Sequence, residues 1–313
     1  MKSDTSLRVT PEMAAQIFIA DRRAQARHSG QLLRRSLIGL AAVTVGVTLL
    51  LPVLVIFNAA LSHGLGVYLT SIFAAETWQA IKLTLFTIAL VVPLNTACAL
   101  ALAWAVSKTR VKGSTWLLVV TDLPLTVSPV VTGLMLILLY GQRGWLATQL
   151  HAHGIDIAIV YAVPAVVLAT LFVTVPYVAR QILPQLEDAG TEAEEAAATL
   201  GASGWSIFRR VTLPSIKLSL VQGVILAAAR AAGEFGAVSM ISGHIRGLTT
   251  TLPQQVEILY NEYGFTAAYS VASILTLFAV LSLGVKAYFT SSLISAPVPQ
   301  AINVDDQSAK GRG

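Results

Sequence analysis

Long apolar stretches alternate with shorter polar ones along most of the 313-residue chain. Six of these stretches have about 20 residues or more, the length that a helix needs to cross the hydrocarbon core of a bilayer. They cover residues 37–57, 80–106, 115–140, 157–179, 218–241 and 265–289. The pattern therefore predicts an all-α polytopic membrane protein with six transmembrane helices joined by short connections.

The polar segment at residues 187–214 differs from the other connections because it carries helix signals of its own. Residues 191–200 are rich in Ala and Glu and lack Pro and Gly, which favours a helix. Gly201 has the position of a C-cap that ends this helix, and Ser203 can cap a second short helix. The apolar positions of the second helix lie roughly on one side and are Trp205, Ile207, Phe208 and Val211. Two short helices held between membrane spans indicate a surface that contacts another protein.

Composition supports a membrane protein and excludes several other classes. Of all residues, 55% are hydrophobic and only 12% are charged, whereas a soluble domain has about 25% charged residues. The ten-residue alternation of an outer-membrane barrel is absent, and no acidic or basic tract indicates a nucleic-acid partner. Cys98 is the single cysteine, so an internal disulfide and a zinc site built from cysteines are both excluded.

Basic residues are concentrated in alternate connections. Of the 21 Lys and Arg residues, 17 lie in the two termini, in residues 107–114 or in residues 180–217. This count includes Lys286, at the end of the sixth span, with the C-terminal tail. Because Lys and Arg accumulate on the cytoplasmic side of membrane proteins, both termini and the 187–214 segment are predicted to face the cytoplasm. Within the basic N-terminal segment, residues 11–26 are predicted to form an amphipathic helix at the membrane surface.

Two charged residues lie within the fifth apolar stretch. Arg230 and Glu234 are four positions apart, so on one helix their side chains share a face. Either charge alone would be costly at the bilayer centre, and pairing reduces that cost. Two interpretations remain open: an ion pair that fixes helix packing, or a pair at the pore or gate of a transport path.

The third apolar stretch contains helix breakers beside a carboxylate, namely Asp122, Pro124, Ser128 and Pro129. Proline removes backbone hydrogen bonds, and the freed carbonyl groups are tolerated at membrane depth only beside protein or a cavity. A kink that serves packing is one interpretation. A broken helix that lines an ion or anion site, as in transporters, is the other.

No residue pattern indicates catalysis by this chain alone. The sequence has no set of nucleophile, base and acid, no pair of haem ligands and no metal-ligand spacing, so neither a catalytic residue nor a cofactor is predicted. It also lacks GxxxxGK[ST], the loop that cradles nucleotide phosphates. If transport is driven by ATP, a separate subunit must bind the nucleotide.

The 187–214 segment carries a spaced motif. Glu195-Ala196-Ala197 is followed by three residues, Gly201, nine residues and Val211-Thr212-Leu213-Pro214. This resembles the EAA loop of prokaryotic ABC importer permeases, with Val211 at the position of the usual Ile. The resemblance implies a type I importer permease fold in which Glu195, Ala196, Ala197, Gly201, Val211, Leu213 and Pro214 couple the membrane helices to an ATPase.

The resemblance extends over residues 78–289, which makes them the membrane core, and it implies partners. The hydropathy and charge pattern divides the rest of the chain into a basic cytoplasmic segment at residues 1–36, a first span with an external loop at 37–77 and a disordered cytoplasmic tail at 290–313. The expected partners are a cytoplasmic ABC ATPase present as a homodimer, a second related permease chain, and a periplasmic binding protein. The expected location is the bacterial inner membrane.

Two further segments narrow the resemblance to sulfate/thiosulfate importer permeases of the CysW type. They are residues 122–133, DLPLTVSPVVTG, and residues 230–238, RAAGEFGAV. Arg230, Glu234, Asp122, Ser128 and Pro129 are then expected at the translocation path or gate. A molybdate or tungstate permease of the same architecture is an alternative, because these permeases share the Gly-Glu-Phe-Gly-Ala element. A proton-coupled secondary transporter that uses Glu234 or Asp122 is an alternative from another class.

Overall fold

The computed structural model describes residues 11–108, 113–154 and 159–294. Within them, six helical segments are long and apolar enough to cross a membrane, as the hydropathy pattern predicts. They are Arg34–Leu61, Ala75–Lys108, Pro129–Gln149, Val163–Asp188, Gly204–Ala232 and Phe265–Ser291. The chain is a multi-pass membrane protein. The prediction of a disordered tail over residues 290–313 is wrong for residues 290–294, which continue the last helix, and residues 295–313 lie outside the described part of the chain.

The chain divides into two units, residues 1–58 and 59–313. The first contains most of helix α1, Pro11–Leu61, which joins the predicted surface helix and the first span into one helix of 51 residues. The apolar side chains that were expected on one side of residues 11–26 lie outside the described part of the chain. From Leu37 to Leu54 the helix exposes a nearly continuous series of Leu, Ile and Val side chains, as expected for contact with lipid.

The second unit contains the remaining helices. They are α2 (Gly64–Ile72), α3 (Ala75–Lys108), α4 (Ser114–Thr126), α5 (Pro129–Tyr140), α6 (Trp145–Ala152), α7 (Val163–Asp188), α8 (Glu192–Thr199), α9 (Gly204–Ile207), α10 (Leu213–Ala232), α11 (Gly236–Ile241), α12 (Leu252–Asn261) and α13 (Phe265–Ile294). A π-helical turn at Phe208–Thr212 joins α9 to α10. Three of the short helices, α2, α6 and α12, lie in connections for which the sequence predicted no helix.

Helix α7 lies at the centre of this unit and contributes to both apolar cores. One core packs α7 against α3 and α10 through Ala99, Ala103, Ile182, Ile216 and Ala227. The other packs it against α5 and α11, and includes Leu136 and Val238. Alanine is the commonest residue of the first core and allows the helix backbones to approach closely. Close packing of small residues is the usual basis of helix association in membranes, because burial away from lipid gives no hydrophobic driving force between helices.

The third apolar stretch is two helices, and the prediction of one span over residues 115–140 is wrong in that respect. Helix α4 ends at Thr126 and α5 begins at Pro129, with Val127 in extended conformation (φ −86°, ψ 136°). Pro129 occupies the first position of α5, where its missing N–H costs nothing. The helix is therefore broken here, whereas a role of this break in lining an ion or anion site stays a prediction.

The fourth span differs from its predicted limits at both ends. Helix α7 begins at Val163, because Pro164 lies in its first turn and not in its interior, and it continues to Asp188. Arg180 therefore belongs to a transmembrane helix, although the sequence placed it in the connection. The charge asymmetry persists without it, at 16 of 21 basic residues.

The fifth span begins earlier and ends earlier than predicted. Residues Gly204–Ala232 form one continuous helical segment, so the second helix of the 187–214 segment is not separate from the span. The span ends at Ala232, and Gly233 to Phe235 separate it from α11. The prediction that Arg230 and Glu234 share one helix is therefore wrong, because Glu234 lies in this break.

Contacts between connections define two opposite ends of the second unit. At one end, the ammonium group of Lys108 donates to the carbonyl oxygen of Gly190. At the other end, Nη1 of Arg246 lies 3.4 Å from Oε2 of Glu76, so the connections at residues 58–79 and 242–264 meet there. Alternate connections thus share an end, as successive membrane crossings require.

Candidate functional site

Residues 187–214, which we call the coupling segment, fold as two helical pieces joined by a tight bend. Helix α8 ends where Gly201 adopts φ +83°, a conformation that costs residues with a Cβ about 1–2 kcal/mol. The N–H groups of Gly201 and Ala202 donate to the carbonyls of Ala198 and Ala197 at 2.9 and 3.1 Å. The hydroxyl of Ser203 then accepts the N–H of Ser206 at 3.4 Å. Both predicted caps are confirmed.

The bend presents an apolar surface, which we call the coupling surface, formed by Leu200, Trp205 and Phe208. Leu200 is 88% exposed and Trp205 is 71% exposed, and the rings of Trp205 and Phe208 stack with centroids 5.6 Å apart. Large apolar side chains that are this exposed at the polar end of a membrane protein mark an interaction site.

The residues of the spaced motif have different environments. Four are exposed, two of them in α8 before the bend, one at the bend and one at the start of α10, whereas three are half-buried. The exposed ones are Glu195, Ala196, Gly201 and Pro214, and the half-buried ones are Ala197, Val211 and Leu213. The geometry therefore places the motif's first and central residues where a partner has access to them.

Glu194, which the sequence did not single out, fastens the coupling segment to two other elements. Its Oε1 accepts the hydroxyl of Thr212 in the π-helical turn at 2.6 Å. The same oxygen lies 3.4 Å from Nζ of Lys108 at the end of α3, and this lysine side chain is only 5% exposed. One carboxylate thus links α8 to the end of the second span and to the π-helical turn of the fifth.

Glu194→Ala is expected to lower the free energy of unfolding by about 1–3 kcal/mol. The substitution leaves a largely buried ammonium group without its anion and a buried hydroxyl without its acceptor. Glu195→Ala, at the exposed neighbouring position, is the matched control and should change stability by less than about 0.5 kcal/mol. Thermal unfolding of the two purified variants in detergent measures the difference; equal midpoints would contradict this role of Glu194.

Arg230 and Glu234 form an ion pair across the end of α10. Nη1 of Arg230 lies 2.7 Å from Oε2 of Glu234, whose side chain is 1% exposed while that of Arg230 is 28% exposed. The other oxygen, Oε1, accepts the N–H of Ala237 in the first turn of α11 at 3.0 Å. Glu234 therefore satisfies a free backbone donor of α11 and holds Arg230, which explains why the pair persists without a shared helix.

The two helix breaks meet where α5 crosses α11. A Cβ on Gly236 would lie 2.7 Å from Cβ of Pro129, and a Cβ on Gly133 would lie 2.6 Å from Cβ of Met240. Glycine at these two positions is what allows the backbones to approach. Residues 129–133 of α5 and residues 236–240 of α11, which are 103 positions or more apart in the sequence, thus pack against each other. Ser128, at the N-cap of α5, is exposed beside them.

Gly133→Ala is expected to destabilise the α5–α11 crossing by about 1–3 kcal/mol, the usual cost of overpacking. The added methyl group would also lie 2.7 Å from the carbonyl oxygen of Ala237, so the backbone itself would have to move. Gly284→Ala in α13 is the matched control, because its Cβ meets nothing within 4 Å, and it should be neutral or slightly stabilising. The two thermal midpoints in detergent check this expectation.

Asp122 does not join the Arg230–Glu234 pair. Its Oδ1 accepts Nε–H of Arg180 on α7 at 2.8 Å. The predicted path residues therefore fall into two places: Asp122 with Arg180 between α4 and α7, and Ser128, Pro129, Arg230 and Glu234 about the two breaks. No group of His, Cys, Asp and Glu side chains in the described residues has the arrangement of a metal site.

Known proteins have similar sequences over most of this chain. Residues 95–294 match the family described as "Binding-protein-dependent transport system inner membrane component". The chain is 46% identical over 272 residues to the sulfate transport system permease protein CysW of Synechococcus elongatus, a match covering 86% of this chain and 94% of that protein. It is 42% identical to CysW of Escherichia coli, covering 80% and 85%, and 32% identical to the sulfate transport system permease protein CysT of Escherichia coli, covering 79% and 88%.

The fold is shared with a solved transporter. A chain of the crystal structure of a bacterial alginate ABC transporter, in complex with an alginate pentasaccharide-bound periplasmic protein, superposes with a TM-score of 0.68. It has 17% sequence identity, and the match covers 85% of this chain and 96% of that one. The family match covers both helix breaks, the Arg230–Glu234 pair and the whole coupling segment. The protein therefore belongs to the family of binding-protein-dependent transport system inner membrane components, which are transport subunits of ABC importers.

Proposed function

We propose that this chain is a permease subunit that moves sulfate or thiosulfate inward through a membrane, driven by an ATPase on a separate subunit. The observation that carries the proposal is the coupling surface, built on the motif of residues 195–214, in a chain whose relatives at 42–46% identity are named sulfate permeases. A permease with an exposed apolar bend and no P-loop of its own needs a partner that hydrolyses ATP.

The coupling segment is the proposed contact with the ATPase, which acts as a homodimer. Glu195, Ala196, Ala197, Gly201, Val211, Leu213 and Pro214 form the segment that the ATPase engages. Closure of the ATPase displaces α8, and Glu194 transmits this displacement to Lys108 and Thr212 through contacts of 3.4 and 2.6 Å. The second and fifth spans then move together.

The translocation path is proposed to run past the two helix breaks. Arg230, Glu234, Asp122, Ser128 and Pro129 are its residues, and Glu234 is the partner of Arg230 and not a ligand of the anion. A doubly charged anion requires donors and positive charge along its path. The partly exposed guanidinium of Arg230 and the N-terminus of α5 supply them, and the Glu234 carboxylate, turned inward at 1% exposure, does not repel the cargo.

Three further features complete the proposal. A second, related permease chain pairs with this one as a heterodimer, which agrees with the CysW and CysT relatives that occur together in Escherichia coli. A periplasmic binding protein delivers the anion. The protein lies in the bacterial inner membrane, with both termini and the coupling segment in the cytoplasm. Its regions are the basic N-terminal segment (1–36), the first span with its external loop (37–77), the membrane core (78–289) and the C-terminal tail (290–313).

The test is reconstitution of the complete complex in proteoliposomes with its binding protein. ATP hydrolysis and uptake are measured with sulfate, thiosulfate or molybdate, each with ATP and with a non-hydrolysable analogue. Stimulation and uptake with sulfate or thiosulfate alone support the proposal. Stimulation by molybdate alone identifies a molybdate permease. Uptake that continues with the analogue and follows a proton gradient identifies a secondary transporter, and either result overturns the proposal.

A further inference from the structure

An ion pair joins the exposed side of α7, a membrane-spanning helix, to the short apolar helix α4. Arg180 and Asp122 are joined by the 2.8 Å hydrogen bond from Nε to Oδ1, yet their side chains remain 58% and 37% exposed. Arg180 precedes the end of α7 by eight residues, and Asp122 follows the start of α4 by eight residues. At 1.5 Å per residue, both lie about 12 Å from the helix ends on the side of the coupling segment.

On the α7 side, the surface around this pair lacks the exposed large apolar side chains of a lipid contact, whereas α4 exposes Val119 and Leu123 beside Asp122. Among the described residues, neither α7 nor α10 has a large apolar side chain that is exposed, whereas α1, α3, α4, α5 and α13 expose many. The exposed stripe of α7 continues from Arg180 to Pro184 and Glu187. Charged groups at membrane depth face the interior of an assembly or a water-filled cavity, so this stripe faces water or protein in the assembled transporter.

Most N–H groups of Arg180 have no hydrogen-bond acceptor among the described residues. A guanidinium carries five N–H groups, and the contact with Asp122 uses Nε–H, at one edge of the group. The terminal amino groups present the planar pair of donors that binds the oxygens of a tetrahedral oxyanion. Asp122 fixes the orientation of the guanidinium and partly neutralises its charge. The affinity for a dianion is therefore low enough for the anion to be released. Conduction requires such weak, successive sites.

We propose that Arg180 is an anion contact in the half of the translocation path nearest the coupling segment, and that Asp122 positions it. The inference rests on the proposed function and adds a residue to it. Arg230 lies near the opposite end of α10, so the two arginines supply two successive sites. Helix α7 ends at Asp188, three residues before the N-cap of α8. Movement of the coupling segment therefore reaches Arg180 directly and changes the access of the anion to it.

The test uses the complete reconstituted transporter and ATP-driven uptake of radioactive sulfate. The variants are Arg180→Gln, Arg180→Lys and the charge swap Asp122→Arg with Arg180→Asp. Arg143→Gln, which removes one exposed cation from a connection, is the matched control. Co-purification with the ATPase and hydrolysis stimulated by the binding protein report whether each variant assembles.

Arg180→Gln should lower uptake about tenfold or more in an assembled complex, the loss expected from one charge-assisted hydrogen bond to the anion. Arg180→Lys should retain part of the uptake, and Arg143→Gln all of it. The swap restores an ion pair but places a carboxylate on α7, so its uptake should stay low. Normal uptake by the swap would overturn the proposal, because only a structural pair would then be needed.

The proposed function and this inference fail separately. Wild-type uptake of sulfate is measured first, and its absence overturns the sulfate assignment alone. If the wild type moves molybdate instead, the same variants are compared with molybdate. If Arg180→Gln does not assemble, the lysine variant and the swap decide the role of Arg180.

Discussion

Replacing Arg230 with alanine is expected to destabilise the permease by about 3–5 kcal/mol, the cost of leaving a buried charge without its partner. The carboxylate that remains, Glu234, has a side chain only 1% exposed. Its second oxygen accepts a hydrogen bond from the N–H of Ala237. If the side chain turned outward, this N–H at the start of α11 would lose its acceptor. The loss should appear as a lowered thermal midpoint and a lower yield of assembled complex.

A combined variant separates packing from transport. In Arg230→Met with Glu234→Gln, no charge remains buried and the amide oxygen of glutamine can still accept from Ala237, so most of the stability should return. If Arg230 also contacts the anion, this variant should assemble and hydrolyse ATP but transport poorly. Full transport by the combined variant would show that the pair serves packing alone.

Arg246→Ala is the control for the loss of an arginine from an ion pair. Arg246 lies 3.4 Å from Glu76 and also pairs with Glu262, and all three side chains are about half exposed. The hydrogen bond that Arg246 donates to Glu262 raises the pKa of the Arg246 guanidinium. Exposed pairs contribute little to stability because solvent screens them, so the midpoint should hardly change. A loss equal to that of Arg230→Ala would contradict the role of burial.

Replacing Trp205 with alanine is expected to weaken binding of the ATPase subunit by about 2 kcal/mol or more, or at least about 30-fold, without destabilising the permease. Buried tryptophans dominate interfaces of this kind, and Trp205 is 71% exposed until a partner covers it. Its only close aromatic contact among the described residues is Phe208. Co-purification of the ATPase and binding-protein-stimulated hydrolysis should both fall, while the thermal midpoint of the isolated permease stays constant.

Trp145→Ala is the matched control for Trp205→Ala. Trp145 is 70% exposed, begins α6 and lies outside the coupling segment. Its removal therefore takes away the same exposed area without touching the coupling surface, and ATPase binding should be unchanged. Equal effects of the two substitutions would mean that loss of exposed tryptophan, and not contact at the coupling surface, lowers ATPase binding.

Short-range features of the coupling segment could be predicted from the sequence because they depend on neighbouring residues. Gly201 adopts a positive φ and Ser203 caps the following turn through interactions within three or four positions. The distinction between Glu194 and Glu195 could not be predicted. The two are adjacent on α8, and which of them reaches Lys108 and Thr212 depends on the rotation of that helix against the π-helical turn, which tertiary packing sets.

The two helix breaks also differ in whether they could be predicted from the sequence. Pro129 made an interruption of the third span predictable, because its ring removes a donor. The break after Ala232 carries no proline, and the i, i+4 spacing of Arg230 and Glu234 favoured a continuous helix. The chain breaks there beside Gly233, which ends α10, and Glu234 caps α11 through the nearby N–H of Ala237. Gly236 allows α11 to lie against Pro129, and this second contact exists only in the folded unit.

By itself, the sequence determined that this is a six-span membrane protein with alternating charged connections and a two-part coupling segment. Hydrophobicity, net charge and turn conformation act locally, so they can be read along the chain. Only the tertiary structure decided that Arg180 belongs to a membrane helix and pairs with Asp122, 58 positions away. It also showed why Gly133 must lack a side chain. Such contacts depend on which helices become neighbours, and that is settled by the packing of the whole unit around α7.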